Sequence, residues 1–120
     1  MSRPLPAEVT ETLDAMLDPA DPVHRALRDQ IPHLDVQGRC TCGCGTTYFA
    51  IDTDAVTPAP TGPNIVVAAG ALLVTETGDC PGEILVFARN GFLSWLEVCS
   101  WADERDPTLA DARRWLRIER

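Results

Sequence analysis

The stretch that decides the fold runs from Glu83 to Val98 and reads EILVFARNGFLSWLEV. Asn90 and Gly91 separate two apolar runs, and an Asn-Gly pair in this setting is the preferred type I′ turn of a β-hairpin. If these two residues form the turn, Arg89 pairs with Phe92 and the register of the hairpin follows. Both predicted faces are more apolar than a sheet with one solvated face requires.

Further strands are predicted on the N-terminal side of this hairpin. Leu34 to Cys40 is a candidate first strand, Thr46 to Asp52 is rich in β-branched and aromatic residues, and Asn64 to Thr77 is a long third strand with a bulge at Gly70. Together with Glu83 to Ala88 and Leu93 to Trp101, they predict an antiparallel sheet.

Helical signals lie at the two ends of the chain. An apolar stripe at helical spacing follows Pro6 and consists of Val9, Leu13, Met16 and Leu17. Asp21-Pro22 and Asp106-Pro107 each resemble an N-cap followed by proline, and predict two more short helices. The chain is therefore predicted to be one α+β domain over residues 1–120, with an N-terminal helical segment packed on a curved antiparallel sheet of four to five strands and a short C-terminal helix.

The chain is acidic, with 18 Asp and Glu against 10 Arg and a net charge of −8. Negative charge repels phosphate backbones and anionic membranes, so neither nucleic acid nor a membrane is an expected partner. The same charge favours a basic protein partner through electrostatic steering, although solubility alone also accounts for it. The N-terminus has no apolar signal segment, so the expected location is the cytoplasm.

The hairpin register places Trp95, Trp101, Leu93 and Val86 on one face. Tryptophan is enriched at the energetic centres of protein interfaces, so this face is a predicted interaction patch. The alternative is that Trp115 and Leu116 fold back over the face and bury it.

The cysteines Cys40, Cys42 and Cys44 form the most unusual cluster. On a straight strand Cys40 and Cys44 would lie about 13 Å apart, whereas sulfurs that share one zinc ion lie within about 4 Å of each other. The cluster therefore binds one zinc or Cu(I) ion only if the chain turns at its glycines, and a fourth ligand would be Cys80, Cys99 or His33. The alternatives are a redox-active thiol, for which Arg39 is the only basic neighbour in the sequence, and a set of buried, inert thiols. No other cofactor is expected.

The sequence contains no catalytic signature. No Gly-x-Ser-x-Gly, Walker or Rossmann motif occurs, and the two histidines lack an orienting third group. The chain is therefore predicted not to be an enzyme.

Two motifs carry a resemblance that spans roughly residues 34 to 101. Gly38-Arg-Cys-Thr-Cys-Gly-Cys44 and Asn90-Gly-Phe-Leu-Ser-Trp-Leu-Glu-Val98 resemble a group of small, acidic, uncharacterised bacterial proteins with a Cys-x-Cys-Gly-Cys turn and a closing hairpin. The chain departs from the group at Asn90, where Asp is expected, and at Trp95, where a polar residue is expected. In overall type the chain is also similar to immunity proteins of bacterial toxin systems.

These features favour a non-enzymatic protein-interaction domain, with immunity-like neutralisation as its specific form. The expected partner is a basic protein, or a second copy docked on the second apolar face of the sheet. The alternatives are a metal-binding module that uses Cys40, Cys42 and Cys44, and a small-ligand pocket between the helices and the concave face of the sheet.

Overall fold

The computed structural model describes residues 3–39, 45–101 and 108–118. Its helices are Ala7–Met16 (α1), Pro22–Arg28 (α2) and Leu109–Trp115 (α3), and a 3₁₀ turn occupies Ile31–His33. Its strands are Leu34–Arg39 (β1), Thr47–Ile51 (β2), Ile65–Leu73 (β3), Gly82–Arg89 (β4), Phe92–Ser100 (β5) and Leu116–Arg117 (β6). The α+β prediction is confirmed, with six strands in the described residues rather than four to five.

The strands form one open sheet in the order β1-β2-β5-β4-β3-β6, and every neighbouring pair is antiparallel. The hairpin of β4 and β5 occupies its centre. The additional strand, β6, pairs Arg117 with Leu72 and Leu116 with Leu73 at one edge. Two residues that directly follow a helix are too few for an alternating pattern to be recognised in the sequence.

The predicted turn at Asn90 and Gly91 is confirmed. Both residues have positive φ, 54° and 85°, as a type I′ turn requires, and Arg89 pairs with Phe92. A Cβ atom at Gly91 would lie 2.4 Å from the carbonyl oxygen of Ala59, so glycine also allows the neighbouring loop to approach the turn closely.

A buried amide, Gln30, joins the helical segment to this hairpin. Its Nε2 donates to the carbonyls of Gly91 at 2.8 Å and Thr57 at 3.1 Å, and its Oε1 accepts from the backbone N–H of Leu93 at 2.9 Å. All three bonds go to backbone groups, so this one side chain fixes the turn against the helices.

The helices bury their apolar residues against one face of the sheet. The predicted stripe of α1 is buried as expected, and it packs with Leu27 of α2 and with the inward residues of the two central strands, namely Ile84, Val86, Ala88, Leu93, Leu96 and Val98. At the start of α2, Asp21 accepts hydrogen bonds from the N–H groups of Val23 and His24, as the Asp-Pro signal predicts. These amides hold the pKa of the Asp21 carboxyl below its usual value.

The C-terminal helix α3 packs on the same core. Leu109 and Ala112 are buried, and Arg113 forms an ion pair with Glu11 of α1. Its N-cap is Thr108, which forms a capping box with Asp111, so the helix begins after the predicted Asp106-Pro107 signal. Asp106 and Pro107 lie outside the described residues.

Candidate interaction face

A β-bulge changes the faces of the hairpin. The register of β4 and β5 shifts between Phe87 and Ala88: Ala88 pairs with Leu93, Phe87 pairs with Trp95, and Ser94 between them has no partner. One extra residue on β5 moves every later side chain of that strand to the opposite face. The prediction that Trp95 shares a face with Leu93 is therefore wrong, because it assumed uninterrupted pairing.

The four residues of the predicted patch are consequently not brought together. Val86 and Leu93 lie in the core beneath the helices, with exposed fractions of 0% and 1%. Trp95 lies half-buried on the other face of the sheet. Trp101 directly follows β5 and is 57% exposed.

Trp95 belongs to a different set of side chains, which we call the open face. Strand register and burial together place these residues, among others, on the side of the sheet opposite the described helices: Tyr48, Ile65, Val67, Leu72, Glu83, Leu85, Phe87, Arg89, Phe92, Trp95, Glu97 and Cys99. Several are large apolar residues with substantial exposure, including Val67 at 53% and Ile65 at 48%. Exposed apolar residues that lie next to one another, rather than singly, are typical of contact surfaces.

A row of side chains crosses the middle of the open face. Val67 pairs with Phe87, Phe87 with Trp95, and Trp95 with Tyr48, so the row spans four strands. The rings of Phe87 and Trp95 stack with centroids 4.4 Å apart and planes 14° apart. Tyr48 lies 6.4 Å from Trp95 at a tilt of 37°, and the two rings border a cleft of about 340 Å³. Cross-strand aromatic pairs of this kind stabilise the sheet and hold the rings in fixed orientations.

Charged groups flank this row. Arg89 and Glu83 lie at opposite ends of β4, and Glu97 lies beside Trp95 on β5. Neither Arg89 nor Glu83 forms an ion pair with any residue that the structure describes. The Glu97 carboxylate accepts a hydrogen bond from the Cys99 thiol at 3.1 Å. The open face therefore has an apolar centre and carries both signs of charge.

Trp115 and Leu116 do not cover Trp95. The Trp115 indole N–H donates to the Glu76 carboxylate at 3.3 and 3.4 Å, and Leu116 pairs with Leu73 at the β3 edge, beyond β4 and β3 from Trp95. The alternative in which the C-terminal helix buries the tryptophan is wrong for this reason.

The predicted metal ligands Cys40, Cys42 and Cys44 lie outside the described residues. Within the described ranges, no three His, Cys, Asp or Glu side chains are grouped closely enough to hold a metal ion. Of the residues considered as a fourth ligand, Cys80 and His33 are exposed and Cys99 is half-buried on the open face. Metal binding at the cluster stays a prediction.

In comparisons with known proteins, no protein-family model, curated protein or solved structure matches the chain. Among the residues that the structure describes, no helix combines the length and the apolar composition needed to cross a membrane. The assignment of a function therefore depends on the open face itself.

Proposed function

We propose that this chain is a non-enzymatic, cytoplasmic protein-interaction domain and that the open face is its contact surface. The observation that carries the proposal is the row Val67, Phe87, Trp95 and Tyr48 on the side of the sheet that the described helices leave uncovered. Large apolar side chains that remain in water cost free energy, and a protein partner removes that cost by covering them.

The stacking within the row suits it to binding. Phe87 packs against one side of the Trp95 ring, so Trp95 loses little side-chain freedom when a partner covers it. Rigid aromatic anchors near the centre of an interface contribute most of its binding energy.

The charge of the molecule supports a protein partner more specifically. A net charge of −8 accelerates the approach of a basic protein, and an immunity-like neutraliser of a basic toxin is the form of this function that the charge favours.

In-cell photo-cross-linking tests the proposal. A photoreactive phenylalanine analogue replaces Val67 on the open face or, as the control, exposed Asp54 in the loop after β2. We expect protein adducts of defined mass from position 67, none from position 54, and loss of the adducts when Trp95→Glu is added. Equal adducts from both positions, or adducts that survive Trp95→Glu in a folded protein, would contradict the proposal.

Metal binding by Cys40, Cys42 and Cys44 remains the second candidate, and the cluster itself is the observation that favours it. Native mass spectrometry of the untagged, reduced protein tests it. One equivalent of zinc or copper that is lost on chelation would support a metal module, and a metal-free mass after zinc reconstitution would count against one.

A further inference from the structure

We infer that the open face binds a second copy of this chain, with β4 of one copy lying antiparallel across β4 of the other. The inference rests on the proposed function, because it uses the same surface and names its occupant. It follows from the order of residues along β4, from the matching order on β3 and β5, and from the two charges that have no ion-pair partner within the described residues.

The outward side chains of β4 form a self-complementary series. They are Glu83, Leu85, Phe87 and Arg89, so a twofold axis at the level of Val86 places Glu83 opposite Arg89 of the second copy. Each charge lies about 10 Å along the strand from that axis. A twofold interface needs such a patch, in which each residue meets its complement on an identical surface.

The neighbouring strand β3 fits the same axis. Ile65 lies in the row of Arg89 and Leu72 in the row of Glu83, so the two apolar residues face each other across the interface. Val67 similarly faces Gly70 of the second copy, because Val67 pairs with Phe87 and Gly70 with Leu85. The Leu85 side chain lies over this glycine, because a Cβ atom at Gly70 would be 3.1 Å from Leu85 Cδ2, so the exposed valine meets the apolar edge of Leu85 there.

Strand β5 contributes a polar contact. The axis places Trp95 opposite Glu97 of the second copy, since Trp95 pairs with Phe87 and Glu97 with Leu85. The Trp95 indole N–H makes no hydrogen bond with the described residues, and this carboxylate is an acceptor for it.

The charge pattern favours a second copy over a uniformly basic partner on this face. Arg89 is exposed, and it would meet like charge on a basic partner, whereas a second copy offers Glu83 to it. The charge of −8 on each copy opposes association, but salt screens that repulsion beyond about 8 Å at physiological ionic strength.

The size of the face predicts a weak dimer. Strands β3, β4 and β5, about 4.8 Å apart, and four rows about 6.8 Å apart give a footprint of about 400 Å² per copy, or about 800 Å² in total, to which β2 adds only Tyr48. This area is at the lower end of specific interfaces, so we expect a reversible dimer that forms in the micromolar range.

Sedimentation velocity over a micromolar concentration series tests the inference with charge reversals. Glu83→Arg and Arg89→Glu should each weaken the dimer at least about tenfold, because each creates two like-charge contacts across the axis. The double variant Glu83→Arg/Arg89→Glu restores opposite charges and should dimerise within a few-fold of the wild type. The control Asp54→Arg makes the same charge change away from the face and should leave the dimer intact.

Two results would overturn the inference: a wild-type chain that stays monomeric throughout the series, or a double variant no better than the single ones. Circular dichroism checks that each variant is folded. Where a charge reversal unfolds the protein, Glu83→Gln or Arg89→Gln is used in its place. A monomeric wild type that still forms adducts with other proteins from position 67 would remove the second copy and keep the proposed function. A monomeric wild type without such adducts would contradict both.

Discussion

At the scale of single residues, the buried side chain of Gln30 is the clearest determinant of how the parts of the molecule are joined. It is 1% exposed and bonded to three backbone groups, from Thr57, Gly91 and Leu93. A buried backbone group that loses its partner costs about 1–3 kcal/mol.

Gln30→Leu is therefore expected to lower the free energy of unfolding by about 1–3 kcal/mol, because the buried N–H of Leu93 loses its acceptor, while the Gly91 carbonyl keeps its bond from the N–H of Ala59. Urea denaturation followed by circular dichroism measures the change. Gln37→Leu, at an exposed position on β1, is the matched control and should change stability little. A loss of less than about 1 kcal/mol for Gln30→Leu would show that these bonds contribute little.

The acidic residue Glu76 gives a pH-dependent contact. Its pKa lies below the usual 4.5, chiefly because its own backbone N–H hydrogen-bonds the carboxylate, with further contributions from the Trp115 indole and the charge of Arg114. A carboxyl whose pKa is lowered by folding favours the folded state at pH values above its unfolded pKa. That contribution disappears as the pH falls through the folded value.

We therefore expect the Trp115 indole N–H resonance in ¹H–¹⁵N spectra to titrate with a midpoint below pH 4.5. Glu76→Gln should abolish this titration while leaving the other tryptophan resonances in place. A midpoint at or above 4.5 in the wild type would show that the contact does not favour the ionised carboxylate.

At the scale of elements, the bulge at Ser94 decides which surface the molecule presents. Because β5 contains an unpaired residue there, Leu93 is in the core and Trp95 is on the open face, although the two are separated by one position. Without the bulge they would share a face, and equal substitutions at the two positions would have similar effects.

We therefore expect Leu93→Glu to unfold the domain and Trp95→Glu to leave it folded. The first substitution puts a charge in a fully buried position, while the second puts one on a partly exposed face. Thermal unfolding of the two variants beside the wild type measures the contrast. Similar losses of stability in both variants would contradict the placement of the bulge.

The elements themselves were largely predictable, because each has a local cause. The spacing of apolar residues predicts α1, Asp21-Pro22 predicts α2, and Asn90-Gly91 predicts the central turn together with its Arg89–Phe92 pair. The bulges were not predictable in the same way. The run from Phe92 to Leu96 is apolar at every position except Ser94, so periodicity cannot locate the extra residue, and in β3 the register shifts at Ala68 rather than at Gly70.

The site was predicted only in part for the same reason. Trp95 lies half-buried on the open face, but Val86 and Leu93 do not accompany it, and Phe87, Tyr48 and Val67 take their place. Leu93 and Leu96 are three positions apart, and an uninterrupted strand would place residues at this odd spacing on opposite faces. This spacing of two leucines is the local sign of the bulge. The neighbours of Trp95 across the sheet depend on long-range pairing, which no local pattern specifies.

At the scale of the whole molecule, the arrangement is asymmetric. The described helices, α1, α2 and α3, bury their apolar residues on one side of a six-stranded sheet, and the other side presents an aromatic row between opposite charges. A helix-covered face is sufficient for a core, so the apolar composition of the open face calls for a second explanation, and binding another protein chain provides one.

We propose that the open face is covered by protein in the cell. The most direct measurement compares photo-cross-linking from position 67 in the wild type and in folded Trp95→Glu, expressed in the cells from which the chain comes. We expect adducts of defined mass in the first and none in the second. Identical adducts in both, or none in either, would contradict it.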